Sequence, residues 1–317
     1  MSIGTVTNVS SLALFVGVQQ GFFLNHGLDF TLEPYGNGGD MTRAFQAGDH
    51  DGADASATTL AAAKAGGFST VMYAPFLNDA TKSHWDDNIT IVARADSGIE
   101  PGNVDSFVGK TFGVFVSGTA DDYLLRHLEG AGYSEDDVTR LNVPSSELLV
   151  ALQNNDVDAI ASVEPFPTQI LHEMGDDAIL IARGGGLSFS IIGLVATEDY
   201  LSANPKVVQA ATDAVAQTLW FVRNNLDVAA AAATTWVPGI DPEVASQVVQ
   251  ELLSFDPRIS GCTYEGFQDE VDGLIEREIV QAGASANDML IDDFVEASAT
   301  AFPEYFEDLD PIPPECG

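Results

Sequence analysis

The 317-residue chain is long enough to hold two lobes with cores of their own, and its 45% apolar content is that of an ordinary soluble globular protein. No stretch approaches the ~20 apolar residues of a membrane helix. The 48 acidic and 12 basic residues give a net charge of −36, which excludes nucleic acid as a partner because phosphate binding needs clustered Lys and Arg; the acids are dispersed along an apolar-patterned chain and read as a strongly solvated surface.

The chain opens with a short β-prone run, "IGTVTNVS", followed by a helical pattern with Leu12, Phe15, Val16 and Phe23 near one face. The apolar run "LALFVGV" inside it has neither a basic flank nor a small-residue cleavage site, so it is not read as a signal peptide. Gly27 closes the unit before the strand "LDFTLEP". "YGNGGD" (35–40) is a loop, and "AFQAGDHDGADAS" (44–56) reads as a helix end, a polar turn and a short buried strand carrying Asp54-Ala55. "SATT" (56–59) and "APFLNDATKSHW" (74–85) are further loops, and "ITIVARADSG" (89–98) is a long β-prone run.

The plan then repeats. In "FGVFVSGTADDYLLRHLEGAG" (112–132) a strand runs into Ser117-Gly118-Thr119, and a helix follows with Ala120, Leu124, Leu128 and Ala131 on one face. Gly4 matches Gly113, and Gly27 matches Gly132. "ALQNNDVDAIAS" (151–162) echoes the earlier segment, with Asp158-Ala159 in the place of Asp54-Ala55. The loops of this half are Ser117–Thr119, "VPSSE" (143–147) and "VEPFP" (163–167). A second β-prone run, "LSFSIIGLVATEDYL" (187–201), precedes a long helical region expected to pack mainly on the first lobe. The expectation is an α/β protein with two lobes, residues 1–93 plus 190–317 and 94–189, joined by two crossings around a cleft.

Ligands of open α/β sheets bind beyond the C-terminal ends of the strands. That rule selects Asn8, Ser10, Tyr35, Gly38, Ser56, Thr58, Phe76 and Trp85 in the first lobe, Ser117, Gly118, Thr119, Glu164 and Phe166 in the second, and Phe189 in the second crossing. Ser117 or Thr119 would cap the following helix, and Gly118 would let the backbone approach a ligand; an ordinary capped turn is the plainer reading. Asp121 and Asp122 suit the helix dipole but repel phosphate, which argues against a nucleotide. The aromatics either fill the core or stack on a flat ligand. Glu164 either accepts ligand N–H groups or serves its own loop. Lys82 is the one basic residue in these loops, so no Arg fork for a carboxylate is in view.

Enzyme signatures are missing. The five histidines are scattered, no H-E-x-x-H, G-x-S-x-G or strand-borne G-x-G-x-x-G occurs, and "DHDGAD" (49–54) has its Gly and closing acid misplaced for a calcium loop. No catalytic residue, metal or cofactor is expected. Cys262 and Cys316 would pair in an exported protein and stay as idle thiols in a reducing compartment.

Several segments carry a resemblance: "GFFLNHGLDFTL", "VGKTFGVFVSGTADDYLLRHLEGAGYSEDDV", "LVALQNNDVDAIASVEPF" and "LVATEDYLSANPKVVQAATDAV". In this order they resemble the ABC-transporter substrate-binding proteins of the nitrate, taurine, sulfonate and thiamine-pyrimidine branch, over nearly the whole chain. The resemblance implies a two-lobed, venus-flytrap periplasmic-binding-protein fold (type II), with a mixed, mostly parallel sheet in each lobe and two hinge crossings. It implies a monomeric periplasmic or extracellular receptor, free or lipid-anchored, that delivers a small molecule to an ABC permease. Glu164 stands where pyrimidine-binding members place an acid, so a flat nitrogen-bearing ligand leads; Ser117-Gly118-Thr119 would equally serve a taurine-like sulfonate. The pyrimidine synthases of the superfamily carry a clustered-cysteine motif that this chain lacks, which argues against the enzymatic branch; a pyrimidine-remodelling enzyme and a non-transport sensor of the same fold are the alternatives. Export implies that Cys262 and Cys316 are disulfide-bonded.

Overall fold

The computed structural model describes every residue except Asn37 and Ser117. In chain order the elements are β1 (Ser2–Val6), α1 (Leu12–Gln20), α2 (Phe22–Asn25), β2 (Thr31–Tyr35), α3 (Gly38–Ala47), β3 (Gly52–Ser56), α4 (Ala57–Ala65), β4 (Thr70–Leu77), β5 (Ile89–Arg94), β6 (Thr111–Val114), α5 (Thr119–Gly130), β7 (Thr139–Asn142), α6 (Leu148–Gln153), β8 (Ala159–Val163), α7 (Phe166–Met174), β9 (Ala178–Arg183) and β10 (Ile192–Thr197). Helices α8 (Glu198–Ala203), α9 (Pro205–Asn224), α10 (Leu226–Trp236), α11 (Pro242–Gln247), α12 (Gly261–Glu276) and α13 (Asp293–Ala301) complete the chain.

Two five-stranded sheets form, in the orders β2-β1-β3-β10-β4 and β7-β6-β8-β5-β9. Each has parallel pairs around β1 or β6 and one antiparallel insert: β10 between β3 and β4, β5 between β8 and β9. In each sheet the antiparallel strand is the one that follows a passage of the chain from the other unit. The units are Met1–Ser83, Phe189–Gly239 and Leu253–Gly317, and His84–Ser188 with Ile240–Leu252. This division differs from the expected one at residues 84–93, because β5 ladders on β8 and β9, at Phe189, and at 240–252, where Asp241 donates its N–H to Gln169 on α7 at 3.1 Å; the last segment makes four passages of the chain between units where two were expected.

In the first unit α1 is buried from Leu12 to Gly17, with Phe15 stacked on Trp236 of α10 at 5.0 Å. Such an all-round apolar helix needs cover on more than one side, and α9 and α10 supply it. Gly27 and Gly132 take positive φ, 78° and 86°, at the ends of the matching units, a conformation that an L side chain resists. The echo itself is corrected in register. Asp51 accepts the Ser2 N–H at 2.8 Å, and Asp158 accepts the Thr111 N–H at 2.9 Å. Ile3 opposes Gly52, as Phe112 opposes Ala159. Asp51, not Asp54, is thus the counterpart of Asp158.

Two carboxylates hold the second passage between units. Asp86 accepts the N–H groups of Gly186, Leu187 and Ser188 at 2.9, 2.8 and 3.2 Å, and Glu270 of α12 accepts that of Phe189 at 2.8 Å. One turn before Glu270, Gly266 leaves no room: a Cβ there would lie 2.2 Å from the Ser83 carbonyl oxygen and 2.5 Å from the Phe189 ring. Gly266→Ala is expected to lower stability by about 1–3 kcal/mol, because a backbone carbonyl has to move; a urea midpoint equal to that of the wild type would refute this. Cys262, at the start of α12, is disulfide-bonded to Cys316 in the C-terminal turn Pro314–Cys316. Among the described residues, no helix is long and apolar enough to cross a membrane.

Candidate functional site

In the first unit, β1 ends in a 3-10 turn, Val9–Ser11, that leads into α1. Asn8 caps this turn, its side-chain oxygen accepting the Ser11 N–H at 3.2 Å. Ser10 is 2% exposed, and its hydroxyl has no hydrogen-bond partner among the described residues. Behind the turn lies Asp54 of β3, 4% exposed, whose Oδ2 accepts the hydroxyls of Thr5 at 2.7 Å and Ser11 at 2.5 Å. Burial raises the Asp54 carboxyl to about 6, against the lowering effect of those hydroxyls and of the Val6 and Asp54 N–H groups. At the end of β3, Ser56 caps α4 by accepting the Thr59 N–H at 3.3 Å, and its hydroxyl lies 2.9 Å from that of Thr58 and 3.0 Å from that of Thr59. The ends of β1 and β3 therefore present hydroxyls and two helix N-termini, a combination suited to an anionic or hydrogen-bond-accepting group.

Other expected residues of this unit are engaged elsewhere. The Tyr35 hydroxyl lies 2.6 Å from Nε2 of His50, and the two rings meet edge to face. Gly38 begins α3. Phe76 and Phe189 are core side chains, Phe189 within the cluster around Met72 and Phe267, so their faces are taken up by packing. Lys82 pairs with Asp79 at 3.1 Å.

In the second unit, Ser117 lies outside the described residues. Gly118 is the N-cap of α5 and Thr119 the first helical residue, with no side-chain cap from Gly118, so Thr119 does not cap as expected. A Cβ on Gly118 would fall 2.8 Å from the ring of Phe115, an aromatic that is 52% exposed at the end of β6 and that the sequence reading passed over. Asp121 and Asp122 are ion-paired rather than merely placed on the dipole, with Arg140 at 2.7 Å and Arg126 at 2.5 Å. Trp85 is buried and Phe166, at the start of α7, half-buried.

Glu164 is fully buried, and its oxygens point into the unit. Oε1 accepts from Arg183 at 3.1 Å and from the Thr90 hydroxyl at 3.3 Å, and Oε2 accepts the Thr168 N–H at 3.2 Å. Burial nevertheless holds the carboxyl above its usual value, outweighing the attraction of Arg183. Arg183 was invisible to the loop-based reading because it ends β9, which only the β5 ladder brings beside Glu164. A ligand N–H would have to compete with these internal donors.

A family profile described as NMT1/THI5 like matches residues 8–229. The chain belongs to the NMT1/THI5-like family. Among curated proteins there is no match to this family member's sequence. Its fold is shared with the alkanesulfonate-binding protein SsuA of Xanthomonas axonopodis pv. citri bound to MOPS, at TM-score 0.78 and 19% identity over 92% of this chain and 97% of that one. The periplasmic nitrate-binding protein NrtA of Synechocystis PCC 6803 is similar at TM-score 0.75 and 14% identity, over 99% and 90%. The desulfurization enzyme DSZB is similar at 0.68 and 15%, over 95% and 99%. These likenesses identify the periplasmic-binding-protein fold; one fold serves receptors and an enzyme alike, so function has to be argued from the site.

Proposed function

We propose that this NMT1/THI5-like chain is the extracytoplasmic solute-binding component of an ABC importer, delivering a small molecule to a membrane permease, and that its ligand carries a sulfonate-type oxyanion. The observation that supports the ligand class is the pairing of two facts. The ends of β1 and β3 offer the Ser10 hydroxyl, the Ser56–Thr58–Thr59 hydroxyls and the N-termini of α1 and α4. The one carboxylate expected to accept ligand N–H groups, Glu164, is instead turned onto Arg183. Receptor use of the same fold by SsuA and NrtA agrees with this role. The acidic surface does not forbid an anion, since exposed charges more than about 8–10 Å away are largely screened at physiological salt.

Calorimetric titration with taurine, propanesulfonate and 4-amino-5-hydroxymethyl-2-methylpyrimidine tests the reading. A sulfonate is expected to bind, and Ser10→Ala to weaken it about tenfold or more, the worth of one hydrogen bond to a charged group. Binding of the pyrimidine alone would overturn the ligand class. Conversion of any of these compounds into a product, seen by mass spectrometry, would overturn the receptor role in favour of an enzyme.

A further inference from the structure

The two units answer one structural question in opposite ways. In the first, Thr5 of β1, Asp54 of β3 and Ser11 before α1 form a buried polar triad. Gly4 opposes Ala53, which sets Thr5 beside Asp54; Gly113 opposes Ile160, which sets Val114 beside Ala161. Val114 and Ala161 lie in one apolar cluster, and the buried acids of the second unit, Asp121 and Asp122, stand instead in the first turn of α5, paired with Arg140 and Arg126. Asp54 is held by two hydroxyls rather than by a cation; burying a carboxylate in that way is costly, which points to a task at its own position.

We propose that Asp54 is a positioning residue of the turn between β1 and α1: through Thr5 and Ser11 it fixes where the unpartnered Ser10 hydroxyl stands, and its protonation governs how readily that turn opens. The consequence for ligand capture rests on the receptor reading above; the behaviour of the turn does not.

Asp54 is the charged group enclosed there. β1, α1 and β10 carry no charged residue, and Asp54 is the only one in β3. In the turn before β3, Asp51 is held by the Ser2 N–H, with the N-terminal amine 4.0 Å away, and His50, whose ring would meet a Cβ on Gly4 at 3.0 Å, lies 2.6 Å from the Tyr35 hydroxyl. On α3, Asp40 and Arg43 pair with each other at the surface, and Lys64 of α4 bonds the Asp288 carbonyl. The folded carboxyl sits near 6, above its ordinary 3.8, so the closed turn holds the proton more tightly than a hydrated carboxyl would. Rising pH between those two values therefore favours any opening that brings Asp54 to water; below 3.8 and above about 6 the dependence levels off.

Hydrogen exchange of the ligand-free protein tests this, with protection measured against the intrinsic exchange rates of an unstructured chain at each pH. Between pH 4 and pH 7 the protection of residues 9–14 is expected to fall by up to about a hundredfold, the equivalent of two pH units. Asp54→Asn should abolish that dependence. Ser11→Ala removes a hydrogen bond that favours the ionised form, so it should move the midpoint to higher pH, and it provides a second reading should the asparagine variant fold poorly. A pH-independent turn in the wild type, or an unchanged profile in Asp54→Asn, would overturn the proposal. Taurine titrated into the same samples separates the two levels: failure to bind with the exchange profile as expected counts against the receptor reading alone.

Discussion

Replacing Glu164 with alanine is expected to destabilise the second unit by about 3–5 kcal/mol, the cost of leaving one partner of a buried ion pair alone. The Arg183 guanidinium reaches Glu164 at 3.1 Å, and it also donates to the hydroxyls of Thr90 and Thr168, both at 3.0 Å. Without the carboxylate those two hydroxyls remain, and they carry no compensating charge. Arg183 keeps 21% of its side chain exposed, which places the effect at the lower end of the range. Glu164→Gln retains the shape and some of the hydrogen bonds and should cost less. Glu164→Leu with Arg183→Met should recover most of the loss, since an apolar pair needs no desolvation of charge. Because burial holds the folded carboxyl above its ordinary 4.5, the wild type loses stability as pH rises from 4.5 through the folded value, and Glu164→Gln should lack that slope. Urea midpoints at fixed pH measure each variant; an alanine variant as stable as the wild type would show that Glu164 and Arg183 do not depend on one another.

The disulfide is the other large lever. Cys262 and Cys316 are 54 residues apart, and in the loop-entropy view closing that span removes about 4 kcal/mol of freedom from the unfolded chain. The intact mass without reductant should be two hydrogens below that of the reduced protein. Reduction, or Cys316→Ser, should lower the urea midpoint by a corresponding amount. Its local effect should be confined to the last residues, because Arg223 still pairs with Asp308 at 2.8 Å and Arg258 still donates to the Asp310 carbonyl at 2.8 Å. Faster hydrogen exchange would then appear first in Pro314–Cys316 and at the start of α12. Two freely alkylated thiols in natively purified protein would contradict the bond itself.

Local pattern determined much of this protein. The strand-turn-helix units, the helix ends at Gly27 and Gly132 and the β-prone run 187–201 that carries the chain back to the first unit all follow from residue periodicity and turn chemistry over a few consecutive positions. What the tertiary structure alone decided depends on who stands across a ladder. Two aspartates in "DHDGAD" look interchangeable in sequence; strand register makes Asp51 a backbone anchor and Asp54 a buried acid between two hydroxyls. The sheet that takes β5 sets Arg183 beside Glu164 and turns a candidate ligand acceptor into half of an ion pair. Phe76 and Phe189 share the composition of a stacking surface, and packing alone put them in the core. Register, sheet membership and burial are non-local: they are fixed by which hydrophobic faces meet, and a one-residue shift reverses the direction of every side chain in a strand.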